Sequence, residues 1–323
     1  MGVWYRFGRD DLLRTRFAIA PLMDLIGAFY VLRDPGRSVV HRPWREWAIP
    51  RTAGLDLSLL DIAAPLGGGG FWPVFVGPPP KVPHAKIGSE LDRIRATPPQ
   101  QVKDEIMRTY PRGPTAARPF AEDPAGALTE LVGQMRAFWE AALAPWWARM
   151  SAVLESEIAS RARRLAAAGP QAAFTGLHQT VRWDHDTLVV HPTTKAPADV
   201  DLAGRGLLLI PAIFTWPKAW PRTDPPWDPA LVYPAAGIAD VWAADERGDD
   251  ALEALIGQRR AQILRELDRP ASTLQLARRM QVSAGGVSDH LKVLRQAGLV
   301  TGCREGRQVI YTRTAKGDTL RSG

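Results

Sequence analysis

The chain has 323 residues, of which 41 are Lys or Arg and 34 are Asp or Glu, so its formal net charge is +7 and its pI is near 9.8. Because 46% of the residues are hydrophobic, the composition excludes wholesale disorder and can fill a sizeable core. The single cysteine, Cys303, excludes an internal disulfide framework and a cysteine-rich zinc site.

The sequence shows no secretory or membrane signal. Residues 1–11 lack an apolar core of signal-peptide length and turn charged within that stretch. The longest apolar run near the middle, 206–214, is broken by Pro211 and is far shorter than the ~20 residues of a membrane span. We therefore expect a soluble cytoplasmic protein.

Charge, tryptophan and proline content all change near Gly257. The segment from Gly257 to Gly323 holds 13 basic and 5 acidic residues, a net charge of +8, whereas the 256 residues before it sum to −1. All 12 Trp and 27 of the 28 Pro also lie before Gly257. These changes predict an N-terminal domain over 1–248 and a C-terminal domain over 249–323, in line with the two domains that the length suggests.

The N-terminal region begins with helical patterns. Pro21 is suited to the start of a helix, and an apolar stripe follows it at helical spacing. The stripe consists of Leu22, Leu25, Ile26 and Phe29. A second apolar set over 55–66 ends at the glycine run 67–70, and a longer helical region is predicted from Asp123 to Ala168 with a break at Pro145.

Strand patterns follow the helices. The β-branched and aromatic runs 180–183 and 188–191 predict a hairpin, and 206–210 and 231–233 predict further strands. The proline-rich segment 216–234 between them predicts a connecting loop. We therefore expect a fold that is mainly α with small β, of the α+β class: a helical N-terminal domain with a small antiparallel sheet, followed by a C-terminal winged helix.

The winged helix is predicted from the pattern after residue 249. A first helix spans Leu252 to Asp268, a second spans 273–280 and buries Leu274 and Ala277, and Ser283 caps a third that ends near Gln296. The third helix has an apolar inner face of Val287, Leu291 and Leu294. Two short strands around residues 304–307 complete a winged helix-turn-helix.

A helix-turn-helix places its second helix in the major groove of DNA. On the outer face of the third predicted helix, Lys292 and Arg295 are best suited to guanine edges or phosphates. Gly285 and Gly286 let the helix N-terminus approach a phosphate, and Arg304 and Arg307 on the wing suit phosphate or minor-groove contact. The predicted DNA-contact set is Ser283, Gly285, Gly286, Ser288, Asp289, His290, Lys292, Arg295, Arg304, Arg307 and Gln308.

The last ~70 residues resemble the DNA-binding core of ArsR-type transcriptional regulators. The most specific motifs are Ser-x-His-Leu at 288–291, Leu-Arg-x-Ala-Gly-Leu-Val at 294–300, and Arg-x-Gly-Arg at 304–307. The resemblance implies a homodimer that reads a pseudo-palindromic operator and represses transcription until an effector acts. The helix matching the family's cysteine box, 273–280, has neither Cys nor His, so we expect no metal and no other cofactor.

The N-terminal region is similar to the N-terminal regions of larger actinobacterial regulators of this type, a resemblance that implies no ligand. We expect it to serve dimerisation, to bind a small-molecule effector in a tryptophan-lined pocket, or both, and not to be an enzyme. An enzymatic alternative would use His178, His185 and His191 with their neighbouring aspartates. In a further alternative the winged helix binds a protein. Cys303 is more typical of a structural thiol than of a redox sensor.

Overall fold

The computed structural model describes residues 1–34, 36, 39–66, 71–111, 115–193, 196–225, 227–242, 253, 255–267, 270–305 and 308–322. Two units are present, Met1–Trp242 (unit 1) and Ala243–Gly323 (unit 2), and each is described by itself. The glycine run 67–70, both ends of the predicted helix 252–268, and Arg307 lie outside the described residues.

Helices make up most of unit 1. They are α1 (Asp11–Arg14), α2 (Pro21–Arg33), α3 (Arg42–Thr52), α4 (Ser58–Ala63), α5 (Ile87–Arg95), α6 (Pro99–Thr109), α7 (Arg118–Glu122), α8 (Pro124–Ala142), α9 (Trp147–Ala168), α10 (Pro170–Phe174) and α11 (Ile238–Trp242). Short 3-10 turns lie at Val39–His41, Val74–Val76, Thr115–Ala117 and Ala144–Trp146. The predicted long helical region is confirmed as α8 and α9. Its break falls at Pro145, where proline removes a backbone donor.

The strands of unit 1 form two sheets. They are β1 (Val3–Arg6), β2 (Arg16–Phe17), β3 (Val181–Asp184), β4 (Thr187–Val190), β5 (Ala198–Asp201), β6 (Leu208–Ala212), β7 (Trp220–Arg222) and β8 (Ala230–Pro234). The sheet orders are β3-β4-β1-β5 and β2-β6-β8-β7. The first contains the predicted hairpin, β3 paired with β4.

Both sheets mix parallel and antiparallel pairs. In the first, β1 pairs antiparallel with β4 and parallel with β5. In the second, β2, β6 and β8 run parallel and β7 is antiparallel to β8. The α+β class is thus confirmed, but two mixed sheets stand where we expected one antiparallel sheet. The difference arises because the N-terminal strands β1 and β2 pair with strands far along the chain, which local periodicity cannot reveal.

Helix α2 is buried on all sides and not along one stripe. Besides the predicted Leu22, Leu25, Ile26 and Phe29, the opposite face is also covered by protein. Gly27 permits the closest approach, because a Cβ at this position would lie 2.7 Å from the Cβ of Phe214 and 2.8 Å from its carbonyl oxygen. Phe214, two residues after the end of β6, therefore packs directly on the backbone of α2.

The described part of the proline-rich segment between β6 and β8 includes the short strand β7. Pro221 lies within β7, at the edge of the second sheet. An edge strand tolerates proline because its missing N–H costs no pairing on the outer side.

Unit 2 has the predicted order of helices and strands. Its elements are α12 (Gln258–Glu266), β9 (Ala271–Ser272), α13 (Thr273–Met280), α14 (Ala284–Gln296), β10 (Val300–Glu305), β11 (Gln308–Arg313) and α15 (Ala315–Ser322). The bounds of α13 and α14 agree with the prediction. Strand β9, which pairs with β11, and the C-terminal helix α15 were not predicted.

Two details of unit 2 differ from the prediction. The first helix does not run continuously from 252, because Gly257 adopts a positive φ of 85° and α12 begins at the next residue. Leu274 is 48% exposed, and Leu276, Ala277 and Met280 form the buried face of α13. The helix begins with a reciprocal cap: the Ser272 side chain accepts from the Gln275 N–H, while the Gln275 side chain accepts from the Ser272 N–H.

No helix among the described residues is both long enough and apolar enough to span a membrane.

Candidate nucleic-acid interface and buried polar groups

A tight turn joins α13 to α14. Gln281 adopts a left-handed conformation with a φ of 56°, and the Val282 N–H donates to the carbonyl of Ala277 at 3.0 Å. Ser283 then caps α14, since its Oγ accepts from the Gly286 N–H at 3.3 Å. The predicted capping residue is therefore in place at the start of the third helix.

Helix α14 is two-sided. Val287, Leu291 and Leu294 are at most 1% exposed and pack into the core of unit 2. The opposite face is open to solvent and carries most of the predicted contact residues. These are Gly285, Gly286, Ser288, Asp289, Lys292 and Arg295, with His290 half-buried at the edge.

The first turn of α14 contains two glycines, Gly285 and Gly286, with little protein around them. A Cβ at Gly285 would meet nothing within 4 Å, and a Cβ at Gly286 would meet only the Ser283 Oγ at 3.3 Å. Neither glycine has a positive φ, so neither the backbone nor the packing requires glycine at Gly285. Glycine inside a helix costs roughly 0.5–1 kcal/mol relative to alanine. The fold itself therefore gives no reason for a glycine at this position.

The wing is the β10–β11 hairpin. Its register pairs Cys303 with Ile310 and Arg304 with Val309. Arg304, Gln308 and Cys303 are exposed, so the two predicted contact residues that can be described, Arg304 and Gln308, lie on the solvent side of the hairpin.

The predicted contact set does not include Val293, although this residue of α14 is exposed. Val293 is 41% exposed and follows Asp289 by four residues, on the same side of α14. Because a thymine methyl group is read by apolar contact, Val293 is chemically suited to a base edge.

The boundary between the units changes the distribution of charge. Residues 243–323 hold 14 basic and 10 acidic residues, a net charge of +4, and residues 1–242 carry +3. When the chain is divided at Gly257, residues 1–256 sum to −1 because the acidic stretch 243–256 is counted with them. The positive charge of unit 2 lies after that stretch.

Two of the three histidines of the enzymatic alternative, His178 and His185, have different surroundings. His185 is exposed in the hairpin turn, where its Nδ1 lies 2.9 Å from Asp184. His178 is buried, with Nδ1 2.8 Å from the Thr180 hydroxyl and its ring edge-on to Trp216. Across the described part of the chain, no group of three His, Cys, Asp or Glu side chains could hold a metal ion.

Six aromatic side chains from separate elements of unit 1 meet in one place, which we call the aromatic cluster. The centroids of neighbouring rings in the cluster lie 4.5–6.4 Å apart. The members are His41, Trp44, Trp47, Trp146, Phe214 and Trp242. Four of the six members are tryptophans, and His41 is a residue that the sequence analysis did not single out. The predicted tryptophan-lined pocket stays a prediction.

Several polar atoms of the aromatic cluster are buried without a hydrogen-bond partner in the structure. They are both ring nitrogens of His41 and the indole nitrogens of Trp146 and Trp242. By contrast, the Trp44 indole donates to the Ala142 carbonyl at 2.9 Å. Burial lowers the pKa of His41 to about 4, so this imidazole is neutral at pH 7. A buried polar group left unsatisfied typically costs about 1–3 kcal/mol.

Two buried carboxyl groups lie at the start of α2. Asp24 Oδ1 accepts from the N–H groups of Ile213 and Phe214 at 2.7 and 3.0 Å, and Glu90 Oε2 accepts from the Leu22 N–H at 2.8 Å. Burial raises the pKa of Asp24 to about 7 and that of Glu90 to about 8. Asp24 therefore fixes the backbone of Phe214, whose ring belongs to the aromatic cluster.

Comparison with protein families gives two partial matches. Residues 260–303 match the model of a helix-turn-helix domain, and residues 100–239 match a family of unknown function (DUF5937). Among solved structures, reduced HlyU from Vibrio cholerae is 30% identical over 24% of this chain and 85% of its own, with a TM-score of 0.19. Comparison with curated proteins gave no significant match.

Unit 2 therefore carries a helix-turn-helix domain, the class of domain found in DNA-binding transcription regulators. The domain match includes α13, the turn and the whole of α14, and it ends within the first strand of the wing.

Proposed function

We propose that the protein is a sequence-specific DNA-binding transcription regulator of ArsR type, acting in the cytoplasm as a homodimeric repressor. The observation that carries this proposal is α14, a capped 13-residue helix that buries one apolar face and exposes Ser288, Lys292 and Arg295 on the other. An exposed face of this chemistry within a helix-turn-helix domain suits the major groove.

The proposed contacts fall into three groups. Lys292 and Arg295 read guanine edges or bind phosphates, while Ser288, Asp289 and His290 face neighbouring base edges. The first turn of α14, with Ser283, Gly285 and Gly286, approaches the DNA backbone. Arg304, Arg307 and Gln308 on the wing contact phosphates or the minor groove.

In this proposal unit 1 serves dimerisation, effector binding, or both, and has no enzymatic role. A homodimer would present two recognition helices to half-sites about one helical turn apart on a pseudo-palindromic operator.

The test is a gel shift with the full chain and the DNA upstream of its own gene, against random duplex of equal length. We expect binding at least 10³-fold tighter to the upstream DNA at physiological salt, and a steep loss of affinity as salt rises. Equal, weak binding to both duplexes would contradict the proposal. Footprinting then reports one or two half-sites, and a reporter fused to that promoter reports the sign of regulation.

A further inference from the structure

A stripe of three residues runs along the exposed side of α14. Gly285, Asp289 and Val293 follow one another at intervals of four residues, which places them on one side of the helix. Val293 is 41% exposed and lies outside the apolar core of unit 2. A β-branched residue is also a weaker helix former than alanine. Packing within the described part of unit 2 and helix propensity therefore give no reason for a valine at this position.

The charges of α14 are unevenly distributed along the helix. Residues 284–290 include one carboxylate, that of Asp289, and no lysine or arginine, whereas Lys292 and Arg295 both lie within 291–296. The phosphate backbone of DNA attracts cations and repels carboxylates. A helix that entered the groove by its first turns alone would bring the carboxylate and leave both cations behind. The charges therefore favour a helix that lies along the major groove, with its middle at the base edges.

The carboxylate of Asp289 restricts the base that this residue can face. A carboxylate accepts hydrogen bonds and donates none. In the major groove guanine presents two acceptors, thymine presents one, and adenine presents an acceptor beside its amino donor, whereas cytosine presents only its N4 amino group. Asp289 is exposed on the side of α14 that would face the DNA. The base edge that suits it is therefore that of a cytosine.

The side chain of Val293 can read one feature of the major groove. It has no hydrogen-bonding group, and the C5-methyl group of thymine is the apolar group that a base presents there. A rise of about 1.5 Å per residue places Val293 about 6 Å beyond Asp289 along the helix. Successive base pairs are about 3.4 Å apart, so the two side chains face base pairs about one or two steps apart, depending on the inclination of the helix.

We propose that Asp289 and Val293 set the sequence preference of the operator half-site. Asp289 accepts a hydrogen bond from N4 of a cytosine, and Val293 contacts the methyl group of a thymine about one or two base pairs away. Gly285 has no side chain, so this side of α14 can approach the DNA closely. The inference rests on the proposed function, a DNA-binding regulator, and adds which bases its recognition helix reads.

The first measurement removes single methyl groups from the DNA. In the half-site that footprinting defines, each thymine is replaced in turn by deoxyuridine, which lacks only the C5-methyl group and keeps its pairing with adenine. At one or more of these thymines, the wild-type full chain is expected to lose affinity about three- to fivefold per half-site, the effect of withdrawing one methyl group from an apolar contact. Absence of any such thymine overturns the inference.

A double-mutant cycle assigns the methyl contact to Val293. Val293→Ala removes both methyl groups of the side chain, so we expect this variant to bind the thymine and deoxyuridine duplexes with equal affinity. The control is Leu274→Ala, which removes a similarly exposed apolar side chain from α13 and is expected to keep the sensitivity of wild type. Because both side chains are exposed, we expect both variants to fold. Equal sensitivity to deoxyuridine in wild type and in Val293→Ala overturns the assignment.

Asp289→Asn tests the cytosine contact. Asparagine keeps the size of the side chain and adds an amide donor, and such an amide pairs with N6 and N7 of adenine. In competition binding to duplexes that carry every base at each position of the half-site, wild type is expected to prefer cytosine at one position by about tenfold or more. In Asp289→Asn the preference at that position is expected to shift to adenine. A cytosine preference that persists in Asp289→Asn overturns the role of this carboxylate.

Failure of the inference can be distinguished from failure of the proposed function. If the full chain binds upstream DNA no more tightly than random duplex, the proposed function fails and the inference fails with it. If it binds upstream DNA specifically, but no thymine methyl group matters and the base preferences of Asp289→Asn equal those of wild type, the proposed function stands and the inference alone is overturned.

Discussion

The two units differ in where they keep their polar side chains. Among the described residues, eleven buried polar or charged side chains lie in unit 1, and only one, Ser272, lies in unit 2, where it caps a helix. Unit 2 is about one third as long as unit 1, so size alone does not explain the difference. A unit that contacts its partner through its surface can keep an apolar interior, whereas unit 1 depends on charges, protons and hydrogen bonds inside its core.

The largest expected effect comes from breaking a buried ion pair of unit 1. Arg161 Nε lies 2.7 Å from Glu157 Oε1, and its guanidinium also donates to the carbonyls of Thr175 and Gly176. Arg161→Met leaves Glu157 buried without its cation, so we expect the free energy of unfolding to fall by about 3–5 kcal/mol. Denaturant unfolding followed by tryptophan fluorescence reports unit 1 selectively, because all 12 tryptophans lie in it.

The matched control for this change is Arg163→Met, an exposed arginine on the same helix, for which we expect less than about 0.5 kcal/mol. If both variants unfold at the same denaturant concentration, the buried pair does not stabilise unit 1.

The second effect concerns pH. Asp24 and Glu90 have pKa values raised to about 7 and 8 from ordinary values of 3.8 and 4.5, so folded unit 1 holds protons that the unfolded chain releases. The contribution of these two carboxyl groups to the free energy of unfolding should therefore fall as pH rises from about 4 to 8 and level off above that range, whereas His41, whose pKa is lowered to about 4, contributes the opposite trend below about pH 6.5.

Asp24→Asn keeps an oxygen acceptor for Ile213 and Phe214 and removes one titration. We expect it to reduce the pH dependence by roughly half in unfolding measurements at pH 5, 6, 7 and 8.5. Asp92→Asn, at an exposed position, serves as the control. The same pH dependence in wild type and in Asp24→Asn would show that Asp24 is already ionised in the folded state.

The third effect lies on the surface of unit 2. Lys292→Ala and Arg295→Ala should each weaken binding to upstream DNA by about 1–3 kcal/mol and relax the preference at particular base pairs if these residues read bases. Arg259→Ala removes the same charge from the exposed side of α12 and controls for general electrostatics. Uniform loss across all DNA sequences would reassign the two residues to phosphate contacts.

The smallest effect separates stability from binding. Because a Cβ at Gly285 meets nothing, Gly285→Ala should stabilise α14 by about 0.5–1 kcal/mol, measured by hydrogen exchange of its amides. The same methyl group should weaken binding to upstream DNA if the DNA backbone approaches the helix here. Gly133→Ala adds the same methyl group to an exposed helical glycine of unit 1 whose Cβ also meets nothing within 4 Å, and it serves as the matched control. Unchanged DNA affinity in Gly285→Ala would remove the first turn of α14 from the proposed interface.

Unit 2 was predictable because its signals are local. Ser272 and Ser283 cap α13 and α14, and Gly298 follows the end of α14. These signals limit both helices to short lengths, and each helix has one apolar face. Leu274 was assigned wrongly because the sequence of this eight-residue helix allows either Leu274 or Leu276 to face the core, and packing with the rest of unit 2 buries Leu276.

Unit 1 was predictable only in part, because its determinants are distant in the sequence. Strand β1 pairs with residues 187–190 and 198–201, and no periodicity near residue 3 reveals that pairing. In the sequence, Asp24 is only a polar residue within an apolar helix. Its role depends on the N–H groups of Ile213 and Phe214, which are distant in the sequence and donate to its carboxylate. His41 gave no signal either, since its importance comes from the ring of Phe214 and the indoles that surround it.

Gly257 sets the direction in which the chain enters α12. Its φ of 85° and ψ of 145° lie in a region that is essentially restricted to glycine, while open space surrounds the position of a Cβ. The backbone conformation, and not crowding, therefore opposes a side chain here. Gly257→Ala should favour a straight continuation of the helical residues 255–256 into α12.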